Sequence, residues 1–162
     1  MFKKNSNGLR LFPGLMLVIF MLSLAGCQTI PTLPAVNLGE PGWNIRQGQA
    51  VWRNKKDAPE IAGELLVAVN PDGRSFVQFT KTPLPFIVAE TTSNSWQIHF
   101  VPNNKTYSAH GHAPAQLPWL HLTECLAGKP PPKKWQWERL DAGGFRLQNP
   151  SSGEMIEGYL NP

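Results

Sequence analysis

Residues 60–81, EIAGELLVAVNPDGRSFVQFTK, decide the fold. Ile61, Leu65, Val67 and Val69 fall on one parity, and Glu60, Glu64 and Asn70 on the other, with Leu66 the exception. A repeat of two is the mark of a strand with one buried face. Asn70-Pro71-Asp72-Gly73 is a turn in which each residue type has a reason: proline presets φ, asparagine and aspartate bond back to the backbone, and glycine tolerates positive φ. After it, Val77 and Phe79 take up the same alternation within Ser75 to Lys81. The stretch predicts two antiparallel strands joined by a tight turn.

The pattern continues on both sides. Phe86 to Thr92 is a β-branched run, and Trp96, Ile98 and Phe100 alternate with Gln97 and His99. Lys105 to His110 can pair back across Pro102-Asn103-Asn104. Trp135 and Trp137, then Phe145 and Leu147, then Ile156, Gly158 and Leu160, predict two or three further strands. Asp141-Ala142-Gly143-Gly144 and Asn149-Pro150-Ser151-Ser152-Gly153 are turns between them. One segment departs from this period. In Pro118 to Ala127 the apolar residues Trp119, Leu122 and Leu126 fall at i, i+3 and i+7, with Pro118 at the start and Gly128 and Pro130 after the end. That predicts one short amphipathic helix at about 118–127. The expected fold is mainly β (α+β). A curved antiparallel meander keeps an apolar concave side, and the helix covers it, since a single sheet cannot bury that face alone.

The first residues are a different kind of sequence. Lys3, Lys4 and Arg10 form a basic start, and Leu11 to Leu24 an apolar run shorter than the ~20 residues a membrane span needs. Such a segment is a secretory leader, excluded from fold reasoning. It closes on Leu24-Ala25-Gly26-Cys27, which resembles the bacterial lipobox. The resemblance implies a signal peptide over 1–26, cleavage before Cys27 and lipid on its thiol. It further implies that Gln28, where an aspartate would favour the inner membrane, sends the protein to the outer membrane, facing the periplasm. Residues 27–42, rich in Pro, Thr and Gly, then form the lipidated cysteine and a flexible tether, and 43–162 a single domain.

Composition excludes several functions. The formal charge of +4 is carried largely by the three basic residues of the leader, so the mature chain is nearly neutral. It lacks the concentrated basic face of a nucleic-acid binder. With Cys27 lipidated, Cys125 has no partner, and among Leu120, Leu122 and Leu126 it reads as a small buried hydrophobe. His110-Gly111-His112 is the one metal-like spacing. On a strand the two rings share a face and with His99, His121 or Glu90 could bind zinc; beside a Gly/Pro-rich turn they are more simply solvated. No nucleophile elbow, zinc-protease, Cys-x-x-Cys or phosphate-loop motif occurs, and no cofactor or enzymatic activity is expected.

The chain has six tryptophans and eight phenylalanines. They suit either an apolar cavity or a filled aromatic core. The candidate lining residues are Trp52, Leu65, Val67, Val77, Phe79, Trp96, Ile98, Phe100, Trp119 and Leu122.

At this point the chain resembles the LolA/LolB family of periplasmic half-barrels, and within it the outer-membrane lipoproteins of the LolB type. The resemblance rests on the lipobox and tether followed by a Trp-containing strand over Trp43 to Arg53 and a strand entering through Gly63-Glu64-Leu65. It rests also on Thr82-Pro83-Leu84 between two strands, and on Pro118-Trp119-Leu120-His121-Leu122 closing in Leu126-Ala127-Gly128-Lys129-Pro130. It covers most of the mature chain, but Pro85 stands where the family has glycine, and the part after Trp137 is shorter. The family resemblance implies a half-barrel that binds acyl chains or lipid without catalysis, a lipoprotein or lipid cargo, and a periplasmic LolA-like carrier as donor. By the same resemblance Leu84 is the loop residue that acts in transfer. The residues alone also allow Leu84 to fold back on the core, and allow an envelope scaffold with a filled interior and a protein partner.

Overall fold

A computed structural model describes residues 32–161. Cys27 and the segment expected to be a leader lie outside them. The described chain forms a single nine-stranded antiparallel sheet with one helix, and the sheet is open. The strands are β1 (Asn44–Arg53), β2 (Ile61–Val69), β3 (Ser75–Lys81), β4 (Leu84–Thr91), β5 (Ser95–Phe100), β6 (Lys105–His110), β7 (Gln136–Arg139), β8 (Gly144–Gln148) and β9 (Met155–Leu160). Their order is β6-β5-β4-β3-β2-β1-β9-β8-β7. The strands read from period two are all present. The meander, however, has two parts: β1 to β6 in sequence, and β7 to β9, which joins the same sheet by pairing β9 with β1.

One face carries the core. In β1 the buried residues are Ala50 and Trp52, whereas Gln49 is exposed and Val51 half-buried. Leu65 and Val67 of β2, Val77 and Phe79 of β3, Ile87 and Ala89 of β4, Ile98 of β5 and Ile156 and Leu160 of β9 share that face. Successive side chains point to opposite faces, so this parity is buried and the other largely meets solvent, apart from the paired row Ala68, Phe76 and Glu90, which is buried as well. Small residues line up where β2, β1 and β9 meet: Gly63 pairs with Ala50, and Ala50 with Gly158. A Cβ on Gly158 would lie 2.9 Å from the Cβ of Ala50 and run into the carbonyl oxygen of Gln49. Glycine within a strand marks just such a close approach.

The long connection from β6 to β7 joins the two edges of the sheet and supplies the cover for the core face. The helix expected over about 118–127 is shorter and split. Pro118–Leu120 is a 3₁₀ turn, tightened by bonds from Leu120 N to Leu117 O and from His121 N to Pro118 O. Only then does α1 (Leu122–Leu126) begin, with Cys125 N bonded to His121 O at 3.0 Å. Bonds from i to i+3 place Trp119 and Leu120 together against the sheet. The expected stop holds: Gly128 has φ +87°, and the following Lys129 N bonds back to Glu124 O.

Residues 32–42, read from composition as a tether, are irregular but not detached. Leu33 N donates to Gln97 Oε1 at 3.1 Å. Glu40 pairs with Arg74 at 3.1 Å, and the Arg74 guanidinium stands 5.2 Å over the ring of Trp43.

Candidate functional site

The ten residues proposed to line a cavity are brought together on the core face. Trp52, Leu65, Val67, Val77, Phe79, Ile98, Trp119 and Leu122 are buried there; Trp96 and Phe100 are half-buried toward β6. Their rings fill one another's space. Trp119 lies 5.2 Å from Phe79 and 6.1 Å from Trp52 between ring centroids, and Phe86 completes the group at 6.0 Å from Trp52 and 6.4 Å from Phe79. Most of these contacts are edge-to-face, the arrangement aromatic quadrupoles favour. The cover is held by few polar links. Thr123 Oγ1 donates to Ser75 Oγ at 3.2 Å, and Trp135 Nε1 to Ala115 O at 2.7 Å. The buried Trp119 Nε1 has no hydrogen-bond partner among the described residues.

Leu84 opens β4, paired with Lys81 across the β3–β4 turn, and is 66% exposed. Its side chain does not fold back on the core. Cys125 is fully buried, and burial, followed by the neighbouring Glu124, pushes its thiol up to about 11. That is the inert state of a structural cysteine. His110 is tied by Nδ1 to Ser95 Oγ at 2.8 Å, and His112 is exposed in the following turn. No group of three or more His, Cys, Asp or Glu side chains stands together among the described residues.

A cleft of about 940 Å³ lies elsewhere, across β2, β1 and β9, between the β3–β4 and β7–β8 turns. Its side chains have the parity opposite to the core. Tyr159, Gln49 and Glu64 form one row, with Leu140 packed beside Gly144 at its end, and Glu157, Val51 and Ala62 form the next. A smaller cleft of about 300 Å³ shares Gln49, Glu64 and Tyr159 and extends the groove to Gln47, Gln78 and Asn161. Glu157 is neutralised by Arg146 at 2.7 Å, which also reaches Glu138 at 3.1 Å.

Sequence reasoning passed over Tyr159 and the outward row, because polar residues between core positions read simply as a solvated face. It also missed Glu154, which accepts a hydrogen bond from Trp52 Nε1 at 3.3 Å and which burial pushes up to about 7. Glu90 on β4 is buried as well, with its carboxyl raised by burial. No protein-family model matches this chain, and none of the curated proteins does.

Proposed function

We propose that this chain is a lipid-anchored protein of the bacterial cell envelope, tethered by Cys27 to the outer membrane and facing the periplasm. In this reading the sheet is a half-barrel of the LolB type. It shelters acyl chains of a lipoprotein or another lipid on its concave face when the segment Pro118–Leu126 moves aside. The observation that carries it is the cover itself: a wide aromatic face is closed by one short segment whose Trp119 buries its indole N–H without a partner. A buried donor left unpaired costs about 1–3 kcal/mol, so the closed cover is held less tightly than its area suggests. An acyl chain returns ~0.8 kcal/mol for each CH₂ removed from water, enough to compete for the face that Trp119 occupies. The role needs no bond-making chemistry. Leu84, exposed at the β3–β4 turn, is the apolar tip offered to the membrane or to cargo handed over by a LolA-like carrier.

The test is saturable binding of a fluorescent fatty-acid probe to the purified mature chain, displaced by an acylated lipopeptide. Leu84→Glu should leave probe binding intact and stall delivery of cargo. A folded chain that takes up no probe overturns the carrier reading.

The close packing of Trp52, Phe79, Phe86 and Trp119 favours a second reading, an envelope scaffold with a permanently filled core and a protein partner. The same titration separates the two.

A further inference from the structure

We propose that the outward groove across β9, β1 and β2 is a binding site for a neutral oligosaccharide, centred on the row Tyr159–Gln49–Glu64. The row is fixed by register: Tyr159 pairs with Gln49, and Gln49 with Glu64, so their side chains stand on the sheet side by side, away from the core. Tyr159 is 43% exposed, a large planar ring left in solvent in the middle of a groove. About 940 Å³ of space beside it falls in the range of small-molecule sites.

The chemistry of the lining selects the ligand. An acyl chain would bury Gln49 and Glu64 with nothing to bond to, which burial of polar groups does not tolerate. A peptide strand would need free backbone N–H and C=O groups, but those of β1, β2 and β9 are spent on neighbouring strands. An anion would meet the carboxylates of Glu64 and Asp141, with Lys81 at the rim the lone lysine or arginine along the main cleft. A sugar satisfies all of these at once. Its hydroxyls donate to carboxylate and amide oxygens and accept from the glutamine N–H₂. Its flat C–H face lies on the tyrosine ring. Gly144 faces Tyr159 across the β8–β9 pair, and Leu140, packed over Gly144, closes that end of the row. The site is on the face opposite Trp119, so it is independent of the proposed lipid site.

The experiment is calorimetric titration of the detergent-solubilised mature chain with cellotetraose and with tetra-N-acetylchitotetraose. Saturable binding of at least one is expected, weakened about tenfold by Tyr159→Ala and little by Tyr159→Phe, which keeps the ring. Glu64→Gln, which keeps the shape of an exposed side chain, should also weaken it. The sugar should not displace the fatty-acid probe. Absence of binding to the folded chain at millimolar sugar overturns the proposal. So does undiminished binding by both Tyr159→Ala and Glu64→Gln, or binding of pentalysine in place of either sugar.

Discussion

Trp119 lies on Phe79 with ring centroids 5.2 Å apart and planes tilted by 30°, and this contact joins the β6–β7 connection to the centre of the sheet. Phe79 is fully buried and Trp119 nearly so. Each ring therefore excludes water from the other, and the cover and the sheet are stable only together. Trp119→Ala should cost about 3–5 kcal/mol in denaturant unfolding. If the cover also moves as a unit, the same variant should bind the fatty-acid probe more tightly than the parent. A loss below 1 kcal/mol would mean that the ring is not part of the core.

Gly158 gives the opposite of the usual glycine result. Glycine to alanine normally stabilises, because it removes freedom from the unfolded chain. Here the new Cβ would meet the Cβ of Ala50 at 2.9 Å and the backbone oxygen of Gln49, which belongs to a paired strand and cannot yield. Gly158→Ala should therefore destabilise by about 1–3 kcal/mol, as overpacking does. Thermal unfolding checks it, and a raised midpoint would refute the close β1–β9 approach.

Those two sites show where the sequence was legible and where it was not. Val77 and Phe79 announce β3 because alternation needs only local residues, and the structure bounds that strand at Ser75–Lys81 as read. The pairing of β9 with β1 joins residues about a hundred positions apart, and periodicity carries no partner. Gly48 and Gly158, unusual inside strands, were the available hint. The split at His121 was hidden because i, i+3 spacing fits a 3₁₀ turn and an α-helix alike. The composition of residues 32–42 hid the bond from Leu33 to Gln97, which depends on one backbone N–H rather than on side-chain type. Tyr159 and Gln49 become neighbours only through that same long-range register.

Cys125 should be silent to thiol reagents. Only the thiolate attacks, and burial with Glu124 at its side holds the thiol up to about 11 in an interior with no access. At pH 8 the folded chain should react with iodoacetamide far more slowly than the urea-unfolded chain, by about a hundredfold or more, since both thiolate fraction and access are lost. Mass spectrometry of the labelled peptide reads the ratio. Comparable rates in the two states would remove Cys125 from the core and loosen α1 with it.

Glu154 should make stability fall with rising pH. Its carboxyl sits beside Trp52 and is raised from 4.5 to about 7, chiefly by burial, with the indole hydrogen bond working the other way. The folded state thus holds a proton that the unfolded state has already released, and stability declines wherever the folded chain binds more protons. The contribution is fully present below pH 4.5 and is lost as pH rises through about 7. Glu154→Gln keeps the shape and an oxygen for Trp52 Nε1 while removing the charge. Relative to the parent it should gain about 1–2 kcal/mol between pH 5 and pH 8, a figure reduced for the side chain's partial exposure to solvent. Glu90, also raised by burial, slopes in the same direction in both proteins and cancels in the difference. Urea midpoints measured across that range give the comparison directly, and parallel profiles for the two chains would show that Glu154 is ionised and solvated throughout.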